Sequence, residues 1–264
     1  MSLQLKGLKD FEEQLATHAS KETVRVYTHA VTHYLASLDG NVQSRRTAQT
    51  YLDSLTANGK SPSTVALRAH AITAWFAYKG ESVSFNSPTI RLGEPKYLVY
   101  DDVLRLLANC ETLLEKVLIT MLFDTAVRIS ELLNLETRLI DHENNTITVV
   151  RKGGRRSEIN MSNKAVVVLD EWLARLQASN IRSDRVFPGV SYWMAWFTVK
   201  RAGVRCGLTV TPHVLRHSRA IQMLKSGAHL YVVSQHLGHK SISTTADIYG
   251  QFAAADLRPL IPKW

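Results

Sequence analysis

A break in the helical patterning between Glu81 and Lys96 constrains the fold more than any other feature of the chain. Serine, asparagine, proline and glycine recur there too closely for a helix to continue, and such a composition is typical of a linker. The chain has 264 residues, of which 45% are hydrophobic, and that is enough apolar material for two packed cores. We therefore predict two domains, residues 1–85 and 99–264, joined by a linker at residues 86–98.

The first domain is predicted to be entirely helical. Apolar residues recur there every three to four positions, as they do along one face of an amphipathic helix. Ser20 is placed to cap one helix, and Ser61 is placed to cap another that has Pro62 at its first position. A further short helix is predicted between Thr47 and Leu55.

The second domain is predicted to combine many helices with one small antiparallel sheet. A helix begins after Tyr100, with Asp101 as its expected cap, and Leu113–Phe123 is apolar nearly all round, which predicts a buried central helix. The β-branched run Thr146–Val150 predicts a strand, and Gly153-Gly154 predicts the turn that leads into a second strand. The fold class is therefore mainly α, with an α+β second domain.

Charge and cysteine usage narrow the possible partners and the compartment. Thirty-two Lys and Arg residues against 23 Asp and Glu residues give a net charge of +9, which favours a polyanionic partner such as nucleic acid or an anionic membrane surface. Cys110 and Cys206 lack metal-ligand or disulfide spacing, as expected in a reducing cytoplasm. The chain shows neither a signal-peptide pattern nor an apolar run of membrane-spanning length, so we expect a cytoplasmic protein with no membrane contact.

Two arginines far apart in the sequence are candidates for binding a phosphate. A guanidinium stays charged and can bond two oxygens at once, which suits Arg128 and Arg216 to this task. His213 is three residues before Arg216, so the two side chains would lie on one face of a helix. Glu131 is three residues after Arg128 and could hold the guanidinium or a neighbouring histidine, or could form an ordinary exposed ion pair.

Three further candidates are individually weak. Lys152 lies at the predicted hairpin tip and has a proton to give, but it belongs to a basic cluster that would ordinarily be a solvated turn or a phosphate contact; Arg155 is the substitute candidate. His239 follows Gly238, a plausible helix-ending glycine, and could donate to a phosphate. Tyr249 could act as a nucleophile, although a helical tyrosine is more often a core residue.

The order of these residues resembles the active-site signature of the tyrosine recombinase (phage integrase) family. The resemblance rests on four blocks: Arg128-Ile-Ser-Glu-Leu, Arg151-Lys-Gly-Gly, Thr-Pro-His213-Val-Leu-Arg216-His and Leu-Gly238-His239 followed by Thr-Thr-Ala-Asp-Ile-Tyr249. It covers nearly the whole chain, because the helical amino-terminal half is similar to the family's SAM-like core-binding domain. Within the family the chain resembles the compact Xer-like recombinases or the small integrases, which have no separate arm-binding domain.

The resemblance implies a site-specific recombinase or integrase. Such enzymes cut one DNA strand by tyrosine attack, leaving a 3′-phosphotyrosyl link and a free 5′ hydroxyl that attacks the partner duplex, with neither ATP nor metal nor another cofactor. The implied roles cover seven residues: Tyr249 as nucleophile, Arg128 and Arg216 as phosphate ligands, Lys152 as general acid, His213 and His239 as aids to proton transfer and phosphate binding, and Glu131 as their support.

The same resemblance implies the partners. The two domains would close around double-stranded DNA as a C-shaped clamp, and four protomers would assemble as a homotetramer on two DNA sites. The tail after Tyr249 carries apolar residues from Leu257 to Trp264. It could be exchanged between protomers, as in relatives, or could fold back on its own core.

Two alternatives from other classes remain open. A type IB topoisomerase uses a similar residue set to relax supercoils as a monomer, and relaxation without strand exchange would favour it. A DNA-binding protein that has lost the chemistry would show the same charge and helices. The presence of every expected residue speaks against the second alternative, and binding alone should survive Tyr249→Phe.

Overall fold

The computed structural model describes residues 2–89, 95–151, 153–239 and 241–254, with only the helical backbone described at residues 2–6 and 251–254. It divides into two compact units, Met1–Arg91 and Leu92–Trp264. Each unit buries its own set of apolar side chains.

The described residues of the first unit form four helices, α1 (Ser2–Ala16), α2 (Lys21–Ala36), α3 (Arg45–Ala57) and α4 (Pro62–Tyr78). The side chains of Ser20 and Ser61 accept hydrogen bonds from the backbone of α2 and α4, so both predicted caps are confirmed. Helix α3 is longer than predicted because Ser44 caps it with a reciprocal bond to Thr47. Large aromatic side chains fill the core of this unit, among them Phe11, Tyr34, Trp75 and Phe76.

The second unit contains eight helices and three strands among its described residues. In chain order they are α5 (Tyr100–Ala108), α6 (Leu113–Asp124), α7 (Ile129–Leu133), β1 (Ile140–Asp141), β2 (Thr146–Val150), β3 (Arg156–Asn160), α8 (Asn163–Ala178), α9 (Tyr192–Arg205), α10 (Pro212–Lys225), α11 (Leu230–Leu237) and α12 (Ile242–Ala254). A short 3₁₀ turn, Thr137–Leu139, leads from α7 into β1. The unit is therefore mainly helical with one small sheet, as predicted.

Helix α6 is the centre of the second unit. Its residues from Val117 to Asp124 are all buried, and it packs against α8, α9 and α10. The prediction of a buried central helix is confirmed. The predicted cap of the preceding helix was wrong: α5 begins after Val99, which makes no side-chain cap bond, and Asp101 is already inside the first turn. There its negative charge still favours the positive end of the helix dipole.

The sheet is antiparallel in the order β1-β2-β3. Strands β2 and β3 pair from Thr146 opposite Asn160 to Val150 opposite Arg156, which confirms the predicted hairpin. Gly153 and Gly154 in its turn have φ of +85° and +77°, a left-handed conformation that glycine adopts without steric cost. Strand β1 has only two residues, too few to show a two-residue period, and it was not predicted.

Two further predictions concern membrane-spanning segments and the state of the two cysteines. Within the described part of the chain, every helix is too short or too polar to cross a membrane. Cys110 and Cys206 are both free thiols, partly buried against the core of the second unit.

Candidate active site

A cleft of about 830 Å³ lies between the start of α7, the β2–β3 hairpin and the segment that follows α11. These segments are distant in sequence, and each contributes polar or charged groups to the wall. The described residues that line the cleft are Arg128, Ser130, Glu131, Asn134, Val150, Arg151, Gly153, Arg155, Gly238, His239 and Thr244.

Arg128 and Glu131 form one wall of the cleft. Arg128 is the residue immediately before α7, and its backbone N–H and its Nη1 donate to the two carboxylate oxygens of Glu131, at 2.9 and 2.8 Å. The Glu131 side chain is only 6% exposed, whereas that of Arg128 is 38% exposed. The carboxylate therefore fixes a guanidinium that still faces the cleft, which an ordinary exposed ion pair would not do.

Arg216 lies beneath the cleft on α10 and is 4% exposed. Its Nη1 donates to the carbonyl of Ala126, and its Nη2 donates to the carbonyl of Leu237 at 2.7 Å and lies 3.4 Å from Nε2 of His239. Burial and the charge of Arg128 lower the pKa of Arg216 to about 10, so the group stays protonated at neutral pH. The Leu237 carbonyl is at the negative end of α11, which favours this buried cation.

Arg151, the residue after β2, is one of two site residues that sequence patterns did not select. Its position in a basic cluster predicts a solvated side chain, yet the residue is only 4% exposed. Nε donates to Oγ of Ser157 at 2.9 Å, and Nη1 and Nη2 donate to the carbonyls of Leu237 and His236, both at 2.7 Å. The Leu237 carbonyl therefore accepts from Arg151 and from Arg216.

His239 follows the glycine that ends α11. Gly238 has a φ of +66°, which confirms its predicted role as a helix terminator. Nδ1 of His239 is hydrogen-bonded to Oγ1 of Thr245, which is fully buried, at 2.7 Å. Burial, followed by the charge of Arg216, lowers the pKa of His239 to about 4, so its imidazole is neutral at pH 7.

Tyr249 and His213 lie on helices α12 and α10. Tyr249 is 1% exposed, and its hydroxyl is hydrogen-bonded to Nδ1 of His217, a residue that the sequence analysis did not select. Burial raises the pKa of Tyr249 to about 12 although Arg216 opposes the shift, and burial lowers the pKa of His217 to about 4. His213 is exposed, with its ring centroid 6.4 Å from that of His217.

The structure thus brings some of the predicted site residues into direct contact and leaves others apart. Arg128 contacts Glu131, and Arg216 contacts His239. Tyr249 is not among the described residues that line the cleft. Lys152 and the tail from Leu257 to Trp264 are outside the described residues, so the predictions for them stay predictions.

The charges around the cleft suit an anion. Arg128, Arg151 and Arg155 line it as cations, Arg216 lies beneath it, and Glu131 is engaged by Arg128. A phosphate can accept several such hydrogen bonds at once because its oxygens carry the charge together. The neutral His239 adds a polar group at the same wall without adding charge.

Comparison with known proteins agrees with this geometry. Residues 96–255 match the profile of the phage integrase family, which is more than half of the chain. The chain belongs to the phage integrase family.

Curated relatives are tyrosine recombinases. The chain is 29% identical to tyrosine recombinase XerA of Pyrococcus horikoshii over 96% of this chain and 93% of that protein. It is 28% identical to tyrosine recombinase XerD of Listeria monocytogenes over 88% of this chain and 93% of that protein. The family and these relatives define the chain as a site-specific DNA recombinase of the tyrosine type, which is an enzyme.

Solved structures share the fold. The crystal structure of XerA recombinase aligns with a TM-score of 0.59 and 21% identity, covering 98% of this chain and all of that one. A post-cleavage complex of XerH recombinase with a palindromic difH substrate aligns with a TM-score of 0.74 and 19% identity, over 94% of this chain and 81% of that one. A lambda integrase dimer bound to a COC′ core site aligns with a TM-score of 0.74 and 15% identity, over 98% and 78% of the two chains.

Proposed function

We propose that this recombinase cuts and rejoins strands of double-stranded DNA through a 3′-phosphotyrosyl link on Tyr249. The observation that carries the proposal is the contact between groups from distant segments: Arg128 and His239 line one cleft, and Arg216 lies beneath it in contact with His239. Fixed cations and donors of this kind stabilise the extra negative charge that develops on a phosphate under attack.

Each step of the proposed reaction conserves atoms and charge. Oη of Tyr249 attacks phosphorus, and the bond from phosphorus to the 5′ oxygen breaks. The phenolic proton passes to a neutral histidine of α10, His213 in this proposal, and the leaving 5′ oxygen takes a proton from Lys152. The free 5′ hydroxyl of the partner duplex then attacks phosphorus and gives its proton to Lys152, while the bond from phosphorus to Oη breaks and Oη of Tyr249 takes back the proton from His213. Arg128 and Arg216 bind the phosphate oxygens, His239 assists them, and Glu131 holds Arg128.

Tyr249 has to leave its present position for this reaction. Its hydroxyl is buried against His217, and its raised pKa of about 12 makes a phenolate at pH 7 costly, by about 7 kcal/mol. When a phosphate is bound between Arg128 and Arg216, the hydroxyl loses its proton at a lower free-energy cost, because the loss is then coupled to bond formation. The proposal therefore includes a movement of the Tyr249 side chain towards the cleft when DNA binds.

The partners in the proposal follow the related complexes. XerH in its post-cleavage complex is bound to a difH substrate, and lambda integrase is a dimer on its core site. We extend this to a homotetramer on two sites, with residues 1–85 as core-binding domain, residues 86–98 as linker and residues 99–264 as catalytic domain. Exchange of the C-terminal tail between protomers and a cytoplasmic location belong to the same proposal.

Covalent adduct trapping on fragmented host genomic DNA tests the function. Wild type and Tyr249→Phe are incubated with the DNA and quenched in denaturing detergent, and the attached DNA is sequenced. We expect adducts in wild type alone, concentrated at one sequence. Adducts in neither protein, with binding retained in both, would contradict the proposal and favour a DNA-binding protein.

A second assay separates recombination from topoisomerase activity. A supercoiled plasmid that carries the recovered site in two copies is incubated with the protein. Recombinant circles are expected. Relaxation without any recombinant product would instead favour the type IB topoisomerase alternative.

A further inference from the structure

We propose that Arg151 is a positioning residue for strand cleavage, which holds Arg216 and His239 in place through the main-chain carbonyl of Leu237. The inference rests on the proposed function of the same site and deepens it. It assigns a role to a side chain that patterns of charge alone would place in solvent.

The bonds of Arg151 connect three parts of the site. Nε is bonded to Ser157 on β3, Nη1 and Nη2 are bonded to the carbonyls that end α11, and Nη1 lies 3.5 Å from Oε2 of Glu131. Glu131 in turn holds Arg128. One guanidinium thus connects the hairpin, the end of α11 and the carboxylate that orients a phosphate ligand.

The shared carbonyl transmits the position of Arg151 to Arg216. A carbonyl oxygen has two lone pairs, and at Leu237 one bond comes from Nη1 of Arg151 and the other from Nη2 of Arg216. The same Nη2 lies 3.4 Å from His239, which is two residues further along the chain. A shift of the Leu237 carbonyl would therefore move both Arg216 and His239.

The local backbone is built to admit Arg151. A Cβ added to Gly238 would overlap Cζ, Nε and Nη1 of Arg151, so glycine leaves room for the guanidinium where it lies. Lysine carries the same charge but lacks the planar fork, so it cannot bond Ser157 and both carbonyls together. The site requires the shape of arginine as well as its charge.

Arg151 lines the cleft, but its side-chain nitrogens are bonded within the protein. It is 4% exposed, and each of its three nitrogens already donates to a protein oxygen. Arg156, on the same hairpin, is exposed and is not among the described residues that line the cleft. The two arginines form a matched pair in which only one touches the end of α11.

The first test compares Arg151→Lys with Arg156→Lys on a duplex that carries the site recovered by adduct trapping. Single-turnover cleavage is measured at saturating protein, and the DNA dissociation constant is measured separately. We expect Arg151→Lys to cleave about 10- to 100-fold more slowly, by analogy with the loss of a residue that orients a metal ligand. Its dissociation constant should change by less than about twofold, because all three side-chain nitrogens of Arg151 donate to protein oxygens. Arg156→Lys should cleave at the wild-type rate.

A neutral substrate separates positioning from a general structural role. When a methylphosphonate replaces the scissile phosphate, one charged oxygen is absent and a misplaced Arg216 matters less. We therefore expect the rate loss of Arg151→Lys to shrink on the methylphosphonate, as it should for Arg216→Lys. An equal loss on both substrates would overturn the positioning role.

Hydrogen exchange provides a readout that does not depend on activity. Amide exchange at residues 234–239 should be faster in Arg151→Lys and unchanged in Arg156→Lys, because only Arg151 bonds the end of α11. If Arg151→Lys does not fold, Ser157→Ala removes a single bond of Arg151 and should show the same effects at smaller size. Wild-type cleavage rate and exchange in the folded variant would overturn the inference alone, whereas absence of wild-type cleavage would overturn the proposed function.

Discussion

The hydroxyl of Tyr249 is hydrogen-bonded to Nδ1 of His217, so the proposed nucleophile is held by a residue adjacent to Arg216 in sequence. Tyr249 also packs in an apolar cluster with Ala220, Ile221 and Leu237. The phenol is therefore both buried and hydrogen-bonded in this structure.

A double-mutant cycle should detect this bond. His217→Ala leaves a buried hydroxyl without its partner, and Tyr249→Phe removes the hydroxyl, so the double variant should be more stable than the sum of the single losses predicts. We expect a coupling of about 1 to 2 kcal/mol in the free energy of unfolding, measured in urea. The cycle of His213→Ala with Tyr249→Phe is the control and should be additive. Additivity in both cycles would contradict the bond.

Stability should fall as the pH drops from about 6.5 to 4. Burial lowers the pKa of His217, His236 and His239 to about 4 in the folded protein, while the unfolded chain titrates near 6.5. Between these values the unfolded state binds more protons, so each histidine lowers the free energy of unfolding by up to about 1.4 kcal/mol per pH unit. Urea unfolding at pH 7, 6 and 5 measures the slope, and His236→Gln should reduce it. A flat profile would show that these rings are not held neutral.

Gly238→Ala should be much more damaging than Gly227→Ala. Both glycines have positive φ, +66° and +87°, and share the backbone penalty of about 1 to 2 kcal/mol for a residue with a Cβ. Gly227 has open space where the Cβ would be, whereas Gly238 has the Arg151 guanidinium. The difference in thermal stability between the two variants measures the cost of the contact with Arg151, because both variants share the backbone penalty. Equal losses would mean that Arg151 can move aside freely.

Arg155→Ala should weaken DNA binding in a salt-dependent way. Arg155 is exposed at the cleft and is placed for a phosphate contact. Removing one such contact should reduce the slope of log K against log salt by about 0.9. Fluorescence anisotropy on a labelled duplex between low and moderate salt measures the slope. An unchanged slope would exclude Arg155 as a phosphate contact.

Glu131→Gln should slow cleavage, whereas Glu136→Gln should not. Both glutamates pair with an arginine, at 2.8 and 2.6 Å, but Glu131 is buried and Glu136 forms a pair with the exposed Arg138. Loss of the Glu131 charge weakens the hold on Arg128, for which we expect about a 10- to 100-fold lower cleavage rate. Single-turnover assays of both variants measure the difference. Equal cleavage rates in the two variants would show that the Arg128–Glu131 pair contributes no more to cleavage than a surface ion pair does.

Local patterns sufficed for much of the fold. Serine caps at Ser20 and Ser61, the apolar run of α6 and the glycine turn of the hairpin each depend on neighbours in sequence. The order of arginines, histidines and tyrosine pointed to the family, and the family match agrees. The caps, the apolar run and the glycine turn depend on nearby residues, and the family signature is the sum of several motifs. Both kinds of signal can therefore be recognised in the sequence alone.

The hydrogen bonds of Arg151 and His217 within the site could not be predicted from the sequence in this way. Arg151 is bonded to carbonyls 85 and 86 residues away, and no side-chain pattern marks a main-chain acceptor. His217 stood inside a quoted motif, yet its partner is 32 residues downstream on another helix. Both contacts exist only because tertiary packing brings α10, α11, α12 and the hairpin together.

The oxygen shared by Arg151 and Arg216 belongs to the main chain of Leu237. Every amino acid that keeps the same backbone at this position would supply the same acceptor, so a point mutation cannot delete it. Substitutions can alter this pair of hydrogen bonds only at the two donors, Arg151 and Arg216, or by changing the backbone conformation around Gly238. In a screen for inactive variants, substitutions at residue 237 should therefore act only through side-chain packing, because none of them removes the hydrogen-bond acceptor.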